Sequence, residues 1–445
     1  MGWTRSPFFF AIVLPSEFDC MDPAQGNVAR ARPKKLSPRP SVPATSPAMR
    51  ALLAFDKFKD ALSAPQACAL AAGSLRARHP HWSLDSCPLT DGGEGFCEIL
   101  TQALGGTFET HTVTGPRGEP VVARLGFVPL ALIPPAARAL LQIENRDSKI
   151  ENSLVAVVEM AAASGLALLP PEARDPWLTS TTGTGELIRL AARPGVAAIL
   201  LGLGGSATSD LGLGALAALG LTFVSATGEL IDPPTPARWA EIARLDGRLP
   251  ADLPPLRIAC DVANSLLGPN GAAAIYGPQK GLRPADLRRL DNEAARLALL
   301  LCRHGAKPDT LMDVPGAGAA GGISFGLMAA ASAQLISGFD LVSAWLDLDS
   351  RLAAADLVLT GEGRFDASSL SGKGPGALAA RAVALGKPVH VFAGAITAAP
   401  VPGLALHAIT PPGTPLPAAL RAAATNLTAA VDRTFDPASP SGSTA

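Results

Sequence analysis

Four loops combine glycine with acids and bases at spacings that could do chemistry. Asp56-Lys57-Phe58-Lys59 sets a carboxylate and two ammonium groups directly after the apolar run Ala51–Phe55, although a solvated strand end would read the same way. Asp91-Gly92-Gly93-Glu94-Gly95 holds two carboxylates among glycines that let backbone approach a ligand closely. It could equally be a turn in which Asp91 bonds its own backbone. Gly202-Leu203-Gly204-Gly205-Ser206-Ala207-Thr208-Ser209-Asp210 follows another apolar run and precedes a small-residue helix. Free N–H groups at such a helix start favour an anion, and the Ser206, Thr208 and Ser209 hydroxyls add donors. Close helix–strand packing would explain its glycines but not Asp210. Thr360-Gly361-Glu362-Gly363-Arg364-Phe365-Asp366, followed by Gly372-Lys373-Gly374, brings two carboxylates and two cations to one turn. Carboxylates suit Mg²⁺, and cations with backbone N–H groups suit phosphate.

The elements that must position these loops alternate strand and helix. Ala51–Phe55 reads as a buried parallel strand. Ser63, Pro65 and Gln66 open a helix that runs to Arg78, with Ser63 as N-cap. A second strand, Leu84–Leu89, leads through the Asp91 loop into a helix over Phe96–Ala103. Thr114-Gly115-Pro116-Arg117-Gly118 reads as a hairpin and marks a change of domain. Further on, the pattern predicts a strand at 199–203, a helix from Leu213, a helix over Leu287–His304 and a strand at 356–360. A helix near 375–385 and a strand at 388–392 complete the alternation. An α/β fold follows, with ligands at the carboxyl ends of its strands. Residues 49–111 and 285–435 are expected to form one discontinuous domain, with 112–284 inserted as a second. Residues 1–48 and 436–445 are expected to be extensions outside the fold. In 1–48, Gly2 and Ser6 match a short myristoylation pattern, and Asn27–Pro47 has no acidic residue.

Composition narrows the function. At 445 residues the chain holds two or three globular units at roughly 150 residues each. Aromatics make up 5%, with one Tyr, and the net charge is −1, which speaks against a nucleic-acid surface. Mean hydropathy is +0.27, yet no unbroken apolar run reaches the roughly 18 residues of a spanning helix. The chain therefore reads as a cytoplasmic globular protein without a membrane partner. Cys20, Cys68, Cys87, Cys97, Cys260 and Cys302 include no CxxC pair and suit buried thiols in a reducing compartment. The scattered histidines disfavour a histidine-centred mechanism. No Walker-type phosphate loop or protein-kinase H-R-D loop is present. Gly316-x-Gly318-x-x-Gly321 matches a dinucleotide pattern, with Asp340 downstream, but Pro315 stands where a strand should end.

Together the loops resemble the bacterial-type glycerate kinase family, the class described as making 2-phosphoglycerate. The matching stretches are AFDKFKDALSA (54–64), PLTDGGEG (88–95), VEMAAASGL (158–166), TSTTGTGELI (179–188) and GLGGSATSD (202–210). ACDVANSLLGPNGAAAIYGPQKG (259–281) and TGEGRFDASSLSGKGP (360–375) complete the set, in the family's order. Three departures stand out. Leu211 replaces a frequent Gly, and Ser368 replaces a usual Gln. The stretch 129–153 looks partly inserted and is expected to form a surface loop.

The resemblance implies two α/β domains, one flavodoxin-like and discontinuous, the other an insert described as restriction-endonuclease-like. It implies ATP, Mg²⁺ and glycerate in a cleft between them, with 2-phosphoglycerate as product and 3-phosphoglycerate as the variant outcome. Under it, Asp210 is expected to accept the glycerate hydroxyl proton, with Lys59 and Asp56 as further catalytic groups. Lys57, Asp91, Glu94, Ser206, Asp261 and Asn264 are expected to bind substrate. Gly204, Gly205, Thr208, Glu362, Arg364 and Lys373 would hold the nucleotide, and Asp366 and Glu362 the metal. A homodimer is left open. The competing readings are an NAD-dependent oxidoreductase using 316–321 and a non-catalytic anion or small-molecule binder.

Overall fold

The apolar run after Met49 folds as strand β1 (Arg50–Phe55) and is buried on both faces. Leu52 and Ala54 point into one apolar cluster, and Ala51, Leu53 and Phe55 into another. A strand covered on both sides needs this continuous hydrophobicity, and a parallel sheet between helices supplies the cover. The computed structural model describes residues 49–143, 153–370 and 374–436. After β1 come β2 (Ser83–Ser86), β3 (Thr107–Thr114), β4 (Pro120–Pro129), β5 (Leu154–Glu159) and β6 (Val196–Gly202). The hairpin strands β7 (Leu221–Ser225) and β8 (Ile242–Gly247) precede β9 (Leu256–Ala259) and β10 (Gln334–Ile336). Strands β11 (Leu357–Phe365), β12 (Val389–Ile396) and β13 (Leu404–Ala408) complete the set.

Five strands form a wholly parallel sheet in the order β13-β12-β11-β1-β2. Counted in chain order within that sheet, this is 2-1-3-4-5, the flavodoxin-like arrangement, whose order reverses between β1 and β11. Crevices that take ligands open outside the carboxyl ends of the strands at such a reversal. The helix Ala64–Arg78 covers one face. Its N-terminus is fixed by a capping box, in which Ser63 Oγ accepts from the Gln66 N–H and Gln66 Oε1 accepts from the Ser63 N–H.

A second sheet runs β10-β9-β6-β5-β4-β3, parallel except where β4 pairs antiparallel with β3 and β5. One apolar cluster joins the sheets. It includes Leu52 and Val358 of the first sheet, Val155 and Leu200 of the second, and Trp345 between them.

Two expectations shift here. The second sheet begins at Thr107 rather than 112, and the chain returns to the first sheet at β11 rather than near 285. The helix Leu287–His304 buries Leu297, Ala298 and Leu301 in the cluster of the second sheet, and β10 pairs with β9. Local alternation is identical on either side of such a crossing, so the pattern alone does not locate it. The described part of 129–153 is no surface loop. Residues Pro135–Leu140 are helical, Ile133, Ala137 and Leu141 are buried, and Arg257 Nε donates to the Leu141 carbonyl. No helix among the described residues is long and apolar enough to cross a membrane.

Candidate active site

At the β1/β11 reversal lies a cleft of about 560 Å³. Asp56, Lys57 and Lys59 enter it from the end of β1, Asp91 from the loop after β2, and Glu362 and Arg364 from the end of β11. The opposite wall is apolar, formed by Gly394, Ala395, Ile409, Leu416 and Leu420. Gly363 packs closely here, and a Cβ on it would lie 3.1 Å from the Lys59 backbone nitrogen.

Lys57 organises the charged end. Its Nζ lies 2.7 Å from Asp91 Oδ1 and 3.7 Å from Glu94 Oε2. Burial works against the ammonium, but Asp91, Asp56 and Glu94 together hold its pKa above the ordinary lysine value. Burial also opposes the Asp91 carboxylate, and Lys57 outweighs it, so Asp91 stays below the usual range. Among the described residues, Asp56 makes no ion pair with the Lys57 ammonium and accepts only from the Lys57 backbone N–H at 2.7 Å. Burial, then the charge of Asp91, push it up to about 7. Burial raises Glu362 to about 7 as well, helped by Asp366 and Asp91. Glu362 Oε1 is buried and finds no hydrogen-bond partner. Mg²⁺ is usually held by one or two carboxylates together with substrate phosphates. No group of three or more acidic, histidine or cysteine side chains among the described residues is set to hold a metal alone, so the orphaned Glu362 oxygen would serve such an ion only together with substrate phosphates.

The sequence pattern of the glycerate kinase family matches residues 51–437. The chain belongs to the glycerate kinase family. It is 39% identical over 353 residues to a glycerate 2-kinase of Escherichia coli K12, covering 78% of this chain and 86% of that protein. A glycerate kinase of Bacillus subtilis 168 is 37% identical over the same shares. A crystal structure described as a glycerate kinase 2 of Salmonella typhimurium LT2 has a TM-score of 0.64 and 35% identity, over 87% of this chain and 97% of that one. Membership makes the chain an enzyme of a kinase family and sets the oxidoreductase reading aside. The glycerate kinase fold agrees. No strand leads into Gly316–Gly321, which follows a 3₁₀ turn at Asp309–Asp313.

Of the residues expected at the glycerate kinase site, Asp56, Lys57, Lys59, Asp91, Glu362 and Arg364 line the cleft. Glu94 stands behind Asp91, within reach of Lys57. Gly204 and Gly205 lie under the Asp91–Glu94 loop. The Gly204 N–H donates to the Gly92 carbonyl at 2.9 Å, and a Cβ on Gly204 would sit 2.6 Å from Gly93 Cα.

The others lie elsewhere. Asp210 is fully buried and away from the cleft lining. Its Oδ2 accepts from Thr181 N–H (2.7 Å), Thr181 Oγ1 (2.8 Å) and Gly214 N–H (3.2 Å), and its Oδ1 from Gly212 N–H (3.1 Å). Four donors already surround this carboxylate, which in this structure is buried rather than open to a substrate hydroxyl. Ser206 and Thr208 are buried in the same loop. Asp261 accepts from the Phe339 N–H at 2.9 Å, at the start of the helix Gly338–Trp345. Asn264 accepts from Tyr276 Oη at 2.6 Å and donates to the Asn270 carbonyl. Asp366 turns its Oδ1 to the N–H and hydroxyl of Ser368. Lys373 lies outside the described residues.

Two features escaped the sequence. The apolar wall follows the ends of β12 and β13, and the rule that ligands bind at strand ends could have found it. Lys280 is the other: it is buried, and its Nζ donates to the Thr208 carbonyl beneath the glycine loop. Burial lowers it to about 7 despite the nearby Asp210. Nothing in a PQKG turn marks such a lysine as buried.

Proposed function

We propose that this chain transfers the γ-phosphoryl group of ATP to the 2-hydroxyl of D-glycerate, yielding 2-phosphoglycerate and ADP, with Mg²⁺ at the phosphates. The observation that carries the reading is the two-sided cleft. Its alkyl and glycine wall suits the flat face of a purine, and its Lys59 and Arg364 end suits phosphate. Phosphoryl transfer mainly needs positioning and charge neutralisation, and this lining supplies both. Lys57, anchored on Asp91, faces the glycerate carboxylate or the transferred phosphoryl group. Asp56 accepts the hydroxyl proton as the glycerate oxygen bonds to phosphorus and the bond to the ADP oxygen breaks. A pKa near 7 is where a general base works best at neutral pH. Mg²⁺, held by Glu362 and Asp91 together with the phosphates, would neutralise phosphate charge. The 2-hydroxyl is favoured because the Escherichia coli relative is a glycerate 2-kinase. A cytoplasmic location, where ATP is abundant, fits this reaction.

The test follows ADP release by a coupled enzyme assay, with D-glycerate, L-glycerate or neither present. D-glycerate-dependent release is expected. Release indifferent to glycerate, or none with ATP bound, overturns the proposal.

A further inference from the structure

We propose that Glu159 is a positioning residue for the active site, a latch from the second sheet that sets the Asp91–Glu94 loop in the cleft of the first. The helix Phe96–Ala103 starts directly after that loop, and its N-cap is Gly95, at φ +92. Glycine suits this left-handed position but offers no side chain to cap the helix. Two of the first N–H groups are instead taken by Glu159, from the carboxyl end of β5. Its Oε2 accepts from Gly95 N–H and from Cys97 N–H, each at 3.1 Å. The Cys97 thiol adds a second tie to β5, donating to the Val157 carbonyl at 3.3 Å.

Glu159 pairs in register with Gly202, where the glycine loop leaves β6. One end of the second sheet thus holds the Asp91 loop twice, through Glu159 and through the Gly204 N–H on the Gly92 carbonyl. The third hold is Lys57 on Asp91, from the first sheet. Glu159 is 9% exposed and is not part of the cleft lining, so it acts through the loop rather than on a ligand.

Three variants separate reach from charge. Glu159→Gln keeps the length and an oxygen acceptor but loses the charge. Glu159→Asp keeps the charge but is one methylene too short to reach both N–H groups. Glu159→Ala removes both. Hydrogen–deuterium exchange over residues 88–99 reads the loop directly, with no assumption about the reaction. The kinetic arm rests on the glycerate kinase reading proposed above. Exchange in 88–99 should rise in the Asp and Ala variants while residues 50–55 keep the parent rate, and the Gln variant should match the parent. In the same two variants kcat/KM should fall about 100-fold, the scale of an ångström's misplacement at a reacting centre. The Gln variant should stay within about threefold, since its hydrogen bonds are retained.

Unchanged loop exchange in Glu159→Asp would overturn the latch. So would exchange raised alike across the whole protein, or loosening in Glu159→Gln as large as in Glu159→Asp. A parent chain without glycerate phosphorylation would remove the proposed function but leave the exchange result to decide the latch.

Discussion

Replacing Asp56 with Asn should make the protein more stable and the enzyme slower. Asp56 is 7% exposed and its pKa is raised from 3.8 to about 7 by burial, with Asp91 adding to it. Between those pH values the folded chain keeps a proton that the unfolded chain has released. The stability this group contributes is therefore whole below about pH 4 and is lost as pH rises through 7. Roughly three pKa units at 1.36 kcal/mol each make a loss of about 4 kcal/mol by pH 8. Asn has the same shape and can keep its Oδ1 on the Lys57 N–H, where Asp56 accepts at 2.7 Å, but it never ionises. At pH 8 the variant should gain up to about 4 kcal/mol, less the attraction to Lys57 that goes with the charge. At pH 5, about 1.2 pH units above the unfolded value, the gain should shrink to about 1.6 kcal/mol. Glu159 titrates in the same range and cancels in the difference between the proteins, whereas Glu362 repels the Asp56 carboxylate and adds to the gain at pH 8. Denaturant unfolding at pH 5 and pH 8, without ligands, measures the stability arm. Steady-state kinetics at pH 8 measures the other, where loss of a general base should lower kcat about 100-fold or more. An Asn variant no more stable at pH 8 than at pH 5 relative to the parent would refute the electrostatic argument. One that keeps kcat within about tenfold would refute the assignment of the base.

Lys57→Met removes the cation on which Asp91 and Glu94 converge and should lower kcat/KM by about 3 kcal/mol, or roughly 150-fold. Initial rates at subsaturating glycerate would show it, and a loss under fivefold would count against Lys57 at the site. Asp210→Asn should cost about 3 kcal/mol of stability by turning an amide NH₂ toward backbone donors, while kcat of the folded enzyme survives. Unfolding and kinetics on one preparation check this, and a selective collapse of kcat would restore Asp210 as the base. Leu211 sits at φ +57, a conformation that favours glycine, and is 2% exposed. Leu211→Gly relieves about 1 kcal/mol of left-handed strain but empties a site worth about 3 kcal/mol. Thermal unfolding should show net destabilisation, and a higher Tm would mean that strain dominates.

Local signals in the sequence were enough for the elements that carry the site. The Ser63–Gln66 capping box, the helices at Phe96–Ala103 and Leu287–His304 and the hairpin after Thr114 depend on neighbours a few residues away. The loops with Lys57 and Asp91 sit where strand ends put them, whereas Glu362, expected in a turn, lies within β11, whose pairing with β12 runs on to Phe365. What stayed hidden depends on distant parts of the chain. Asp56 and Asp210 both follow a buried strand, and only packing separates them. The Thr181 backbone closes over Asp210, while the β1/β11 reversal leaves Asp56 open to a cleft. Asp261 resembles a substrate ligand until the helix starting at Gly338 comes to rest on it. Sheet membership of 287–336 is likewise decided by β10 pairing with β9, far away in sequence.

The central claim is phosphoryl transfer from ATP to glycerate, and ³¹P NMR of the full chain with D-glycerate, ATP and Mg²⁺ tests it most directly. The account predicts a new phosphomonoester resonance split by a single carbon-bound proton, as a phosphate on the 2-oxygen requires, with ADP growing in step. Splitting by a CH₂ group would keep the kinase and move the phosphate to the 3-oxygen, contradicting the proposed product. A spectrum that shows only ATP, with the nucleotide still bound, would contradict the account itself.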